Sequence, residues 1–152
     1  MLHVALVEPE IPPNTGNIAR LCAATRTGLH IVGVPGFRMD ERAVKRAGLD
    51  YWDEVDVWRH RRIADLYDAL PESRFLYIET GGAKSVYEWQ FQPHDCFVFG
   101  RETKGLPSDL IEANADRVLE IPMFNQNVRS LNLSNSVAIV LYEALRQTAF
   151  QK

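Results

Sequence analysis

The sequence predicts an α/β fold: a mainly parallel sheet with helices on both faces, in one domain over residues 1–152. Short apolar runs of strand length alternate with segments of helical periodicity along the whole chain. Three of those runs lead straight into polar loops. In parallel sheets, ligands sit beyond the carboxyl ends of strands, where the topology switches. The length suits a single core, and no further domain is expected.

Leu2–Val7 is the first strand. Asn14 is the expected N-cap of a helix over Thr15–Thr25, because Ile18, Leu21, Cys22 and Thr25 recur at helical spacing. Asn17 and Arg20 fall on the opposite face. Leu29–Val34 is the second strand, Asp40 the expected cap of a helix to Ala47, and Glu54–Trp58 the expected third strand. Ile63–Leu70 is helical and ends at Pro71, which cannot continue it. Arg74–Ile78 and Cys96–Phe99 are strands, Ser108–Ala113 a short helix and Arg117–Ile121 the last strand. Leu133–Thr148 is the longest helix, with Leu133, Val137, Leu141, Ala144, Leu145 and Thr148 on one stripe.

Composition is ordinary for a globular protein, with 46% apolar and 24% charged residues. No apolar run approaches the ~20 residues that span a bilayer. The N-terminus reads as a strand rather than a basic leader, so a cytoplasmic protein with no membrane association is expected. Cys22 and Cys96 match no metal spacing, and both are expected as buried free thiols. The net charge of −3 does not mark a nucleic-acid binder, so local patches must carry any such role. Arg42, Lys45 and Arg46 share one helix face, with Arg38 just before them. Arg59-His60-Arg61-Arg62 is a second basic run. Such runs are either solvated faces or phosphate contacts.

Gly100-Arg101-Glu102-Thr103-Lys104-Gly105 has the glycine spacing of a P-loop. Leu106-Pro107 follows where that motif needs Lys and Ser or Thr, which excludes a phosphate clamp. No G-x-G-x-x-G follows a strand, no G-x-S-x-G elbow exists, and the four histidines are scattered. The informative segments are the three strand-to-loop passages. Val4–Val7 runs into Glu8 through Asn17, and Phe97–Phe99 into Gly100 through Gly105. Ile121-Pro122-Met123 leads on to Ser130-Leu131-Asn132-Leu133-Ser134-Asn135-Ser136. Gly100 and Gly105 either let a flat ligand approach the backbone or serve only as turn glycines. Arg20 is either a solvated surface residue or a side chain reaching a site at the sheet edge.

In order and spacing the three segments resemble the motifs of the SPOUT methyltransferases, over nearly the whole chain. The wording is closest to the TrmL-like tRNA wobble-ribose methyltransferases. Glu8 through Ala23 is similar to their opening, and Arg46-Ala47-Gly48-Leu49-Asp50-Tyr51 to a second signature. Phe99 through Pro107 resembles motif two, and Ile121-Pro122-Met123 with Arg129 through Asn135 motif three. The chain departs from the pattern at Arg101, where Pro is common, at Glu79-Thr80-Gly81-Gly82, at Arg26-Thr27-Gly28, and at Phe124-Asn125-Gln126-Asn127-Val128.

The resemblance implies a C-terminal deep trefoil knot, which general fold rules would never propose. It implies an S-adenosyl-L-methionine pocket built at Ile78, Gly100, Ile121, Ser130, Leu131 and Asn135. It also implies a homodimer, with a tRNA anticodon stem-loop bound across both subunits. The reaction implied is methyl transfer to the ribose 2′-hydroxyl of the wobble nucleotide, cytidine or modified uridine, without metal. Arg20 stands in the position proposed for the group that activates the hydroxyl, with Tyr142 and Glu102 assisting. Asn17, Arg42, Lys45, Arg46, Arg129, Asn132 and Ser134 are the implied substrate contacts. The alternatives are ribose methylation of another tRNA or rRNA nucleotide, and a non-catalytic RNA-binding knot protein.

Overall fold

The computed structural model describes residues 1–40, 42–47 and 51–150; at positions 43, 45 and 47 only the backbone is described. Gly48, Leu49 and Asp50 of the second signature, and the Lys45 side chain, lie outside the described residues. Seven strands form one sheet: β1 (His3–Val7), β2 (Gly28–Val32), β3 (Val57–His60), β4 (Phe75–Ile78), β5 (Lys84–Ser85), β6 (Cys96–Phe99) and β7 (Val118–Glu120). Their order is β3-β2-β1-β6-β4-β7-β5, and every pairing is parallel. The helices are α1 (Pro12–Thr25), α2 (Arg42–Ala47), α3 (Ile63–Ala69), α4 (Ser108–Ala113) and α5 (Leu133–Thr148).

Side chains alternate across the central strands, so each strand feeds two cores. Val4, Leu6, Leu29, Ile31, Leu76, Phe97, Phe99 and Leu119 pack against Ile18, Ala19 and Cys22 of α1 and Val137, Val140, Leu141 and Ala144 of α5. Ala5, Val7, Val32, Tyr77, Cys96, Val98 and Val118 face the other way, onto Leu66 of α3 and Leu110 and Ile111 of α4. Helices thus cover both faces. Both cysteines are free and buried, and burial pushes the Cys22 thiol up to about 12. At the rim of this core, Asp95 is wholly buried and accepts two bonds from the Arg74 guanidinium at 2.8 and 2.7 Å.

Several expected boundaries move. Asn14 does not cap α1. Pro12 and Pro13 occupy its first two positions, where a fixed φ and a missing N–H cost nothing, and Ile11 is the cap. Asn14 is instead a buried residue inside the first turn. The Asp40 carboxylate accepts both bonds of the Arg38 guanidinium, at 3.1 and 2.9 Å, and the cap of α2 itself, at residue 41, lies outside the described residues. The second strand ends at Val32 rather than Val34, which is exposed. The expected third strand over Glu54–Trp58 lies further on, at Val57–His60, because Trp52–Glu54 closes a 3-10 turn first.

The shifted β3 brings three scattered histidines together. His3 Nδ1 lies 3.1 Å from His30 Nε2, and His30 Nδ1 lies 2.9 Å from His60 Nε2. His30 also stacks on Trp58, with ring centroids 5.0 Å apart. The imidazoles bond to one another across β1, β2 and β3 instead of converging on a point, so they form a ladder and not a ligand set. Burial lowers His3 to about 4 and His30 to about 3, and His60 also falls.

Candidate active site

The three polar loops meet in one cleft of about 560 Å³ beyond the carboxyl ends of β1, β4, β6 and β7. The strand order reverses there: β1 passes outward to β2 and β3, while β6 and β4 lie on its other side. This is the switch-point location at which open α/β sheets bind ligands. The volume lies in the range of small-molecule sites.

Two of the loops are bound to each other reciprocally. Glu102 accepts from the backbone N–H of Glu10 at 2.8 Å and of Ile11 at 3.1 Å. Glu10 in turn accepts from the Thr103 N–H at 3.1 Å and the Thr103 hydroxyl at 2.7 Å. Those bonds to Thr103 hold the Glu10 carboxyl below the usual range. Arg101 lies 3.7 Å from both Glu8 and Glu10, adding positive charge among three carboxylates. The clasp fixes the first loop, and with it the start of α1, against the loop after β6.

The loop after β6 is itself closed by Arg101 and Gly105, which exchange backbone bonds at 3.1 and 2.8 Å. A Cβ on Gly100 would sit 2.1 Å from the Gly105 carbonyl carbon. The close approach that Gly100 permits is therefore between two parts of this chain. Below the loop, Glu79 Oε2 accepts from the Leu106 N–H at 2.7 Å, tying the end of β4 to the same turn.

The third loop is organised by Asn132, the N-cap of α5. Its side-chain oxygen accepts from the Asn135 N–H at 3.2 Å and the Ser134 hydroxyl at 2.6 Å. Its amide donates to Asn14 Oδ1 at 3.2 Å, joining the starts of α5 and α1. Asn132 thus links the first and third loops, and the Glu10–Glu102 clasp links the first and second.

Of the residues expected at the cofactor, Ile78, Gly100, Ile121, Ser130 and Leu131 line the cleft; Asn135 stands beside it in the first turn of α5. Arg129, Asn132 and Glu102 also line it. Ser134 is spent on the α5 cap. Arg20, Asn17 and Tyr142 do not line the cleft and are exposed. The Arg20 guanidinium lies 4.8 Å over the Tyr51 ring, and Tyr142 leans on Phe150. Glu102 contacts the start of α1 rather than Arg20, so the three expected catalytic groups are not assembled within one chain. Arg42, Arg46, Arg59, Arg61 and Arg62 are exposed, and Arg62 lies 3.5 Å from Asp65.

Sequence reasoning missed Glu10, Thr103, Glu79 and Asn14 as the groups that lock the loops together. All four stand inside or beside quoted motifs, but their pairings span 27 to 118 residues and leave no local period.

A parallel α/β sheet with a cleft at its switch point defines a class of folds that bind small ligands at that place. Comparison with known proteins specifies it further. The chain belongs to the SpoU rRNA Methylase family, whose model matches residues 1–142. It is 51% identical over 154 residues to a tRNA (cytidine(34)-2'-O)-methyltransferase of Acidovorax sp. (strain JS42), covering 99% of this chain and 94% of that one. A protein of the same name from Polaromonas sp. (strain JS666 / ATCC BAA-500) is 48% identical over 154 residues, covering 99% and 93%. A solved structure concerned with the 2-OH methylation of C/U34 on tRNA superposes with a TM-score of 0.91 at 43% identity, covering 97% of this chain and 95% of that one.

Proposed function

We propose that this chain methylates the ribose 2′-hydroxyl of the wobble nucleotide of tRNA, cytidine or modified uridine, using S-adenosylmethionine. The observation that carries the reading is the convergence of all three motif loops on a single cleft, in a chain half identical to tRNA (cytidine(34)-2'-O)-methyltransferases. The cleft fits the cofactor. Ile78, Ile121, Leu131 and Phe99 give apolar walls for an adenine, while Ser130 and the backbone around Gly100 give polar partners. When bound, the cofactor supplies a methyl group already activated on a sulfonium, so the reaction has no need of a metal.

The chain's own residues hold that ligand and manage the proton of a poor nucleophile, the 2′-hydroxyl. Arg20 is assigned to the hydroxyl: its planar guanidinium stabilises the negative charge that develops as the proton leaves through an RNA phosphate to solvent, and Tyr142 assists as a hydrogen-bond donor. Glu102 is a positioning residue, through its bonds to the start of α1. Asn132 and Ser134 hold the third loop, and Asn17 and Arg129 border the substrate side. The separation of Arg20 from the cleft of its own chain supports a homodimer in which the partner copy supplies it. We place α1 and α5 in that interface. Arg42, Lys45 and Arg46 with Arg59–Arg62 face the phosphates of the anticodon stem-loop.

A C-terminal trefoil knot belongs to the same reading. A Cβ on Gly82 would meet the Leu119 carbonyl carbon at 2.6 Å, so the chain after β4 passes tightly across β7. Thr80 and Gln147 then bond to Arg129 and Trp89, segments far away in sequence. We place the protein in the cytoplasm with its tRNA; among the described residues no helix is long and apolar enough to cross a membrane.

The test is methyl transfer from labelled S-adenosylmethionine to tRNA lacking wobble ribose methylation, in the presence of a chelator. A labelled 2′-O-methylnucleotide at the wobble position is expected. Titration calorimetry with S-adenosylhomocysteine checks the cleft separately: no heat at millimolar ligand would remove the cofactor assignment.

A further inference from the structure

The rim of the cleft is asymmetric. On one side, Glu10, Glu102 and Thr103 are bonded to one another. On the other, the chain leaves the cleft at Met123 and re-enters it at Arg129, and both residues line it. Between them runs Phe124-Asn125-Gln126-Asn127-Val128, every residue of it exposed. Phe124 is fully exposed and has no ring partner among the described residues. The loop is nevertheless a defined turn: Asn125 accepts from the Asn127 N–H through its side chain at 3.0 Å and from the Val128 N–H through its carbonyl at 3.2 Å.

We propose that this loop reads the base of the nucleotide being methylated, with Phe124 stacking on its face. The inference rests on the methyl-transfer reading of the cleft. A ribose held with its 2′-oxygen over the cleft carries its base on the adjacent C1′ carbon, so that base must emerge at the rim. The free aromatic surface at the rim is Phe124. Unpaired RNA bases are recognised by stacking on aromatic side chains and by hydrogen bonds to their edges. The exposed carboxamides of Gln126 and Asn127 have the donor and acceptor pair that a base edge requires. No carboxylate lies in the loop to repel a phosphate, and Arg129 follows it. A second copy of this chain is the competing occupant. The run of three amides argues against it, since a protein interface would leave them to be desolvated around one ring.

The experiment pairs Phe124→Ala and Phe124→Trp with two anticodon stem-loops, one normal and one carrying an abasic ribose at the wobble position. Binding is measured with S-adenosylhomocysteine present. Phe124→Ala should weaken the normal RNA about 5- to 150-fold, the range for one base–aromatic stack. It should change the affinity for the abasic RNA little, because the partner base is already missing. Phe124→Trp should retain the normal affinity, and sedimentation of all variants should match the parent. An equal loss on both RNAs, or no loss on either, overturns the proposal. A change in association state for Phe124→Ala overturns it in favour of a contact between copies. The underlying methyl-transfer reading fails separately, by the absence of wobble methylation with the unaltered protein.

Discussion

Asn132 does three jobs with one carboxamide: it caps α5, accepts from Ser134 and donates to Asn14. Asn132→Ala should cost about 2–3 kcal/mol, combining a lost cap of about 1 kcal/mol with an unpaired buried Asn14 oxygen. Thermal or urea unfolding reads it, and cofactor affinity should fall with it because the third loop loses its anchor. Arg20→Ala is the converse case. Its packing on Tyr51 is an exposed cation–π contact, so stability should change by no more than about 0.5–1 kcal/mol. Single-turnover methyl transfer should fall by roughly 10²–10³-fold, as for loss of a group that stabilises developing negative charge. A near-normal rate would remove Arg20 from the chemistry. The histidine ladder makes a prediction about pH. His3 and His30 titrate lower in the folded chain than the ordinary 6.5, so the unfolded chain binds more protons between about pH 6.5 and 4. Stability is therefore full above pH 6.5 and is lost as pH falls, at up to about 2.7 kcal/mol per unit with both groups titrating. The amino terminus and His94 reinforce the effect at His3, while Asp65 opposes it at His60. Replacing His30 by Gln should flatten the acid limb of an unfolding-midpoint profile.

Among elements, strand and helix periodicity made most of the fold legible. The strand at Cys96–Phe99 and the helices at Ser108–Ala113 and Leu133–Thr148 have the bounds their patterns predict. The misplacements have local causes. Two prolines start α1 ahead of Asn14, and a 3-10 turn delays β3. The two-residue β5 is too short to carry a pattern and exists only through its pairing with β7. The site was legible as motif wording, because strand-end loops are contiguous in sequence. Its bracing was not, since Glu10 meets Thr103 and Asn132 meets Asn14 only after the sheet has formed. Arg74 and Asp95 immediately precede β4 and β6, and their ion pair ties the starts of the two strands together. Asp95→Asn should destabilise the chain by about 2–3 kcal/mol, below the range for fully buried pairs because Arg74 is one-third exposed and can rehydrate. An unchanged urea midpoint would show the pair to be dispensable.

At the scale of the whole molecule, one chain supplies a complete cleft but leaves Arg20 outside it. A dimer resolves this if each copy lends Arg20 to the other, and subunit mixing tests it. Ser130→Trp fills the cleft from an exposed position. Mixed with Arg20→Ala under exchange conditions, it should restore activity, because the hybrid dimer contains one site with an intact cleft and an intact arginine. No recovery would place Arg20 and the cleft in the same subunit. The assigned chemistry is narrower still: a methyl group goes to one oxygen of one nucleotide. Its most direct measurement compares two otherwise identical tRNA substrates, one with ribose and one with 2′-deoxyribose at the wobble position, and maps the methyl after incubation with the purified protein and S-adenosylmethionine. We predict a 2′-O-methyl group at the wobble ribose of the first and none anywhere on the second. Methylation of the deoxy substrate, or a methyl at another position or on a base, would contradict the assignment.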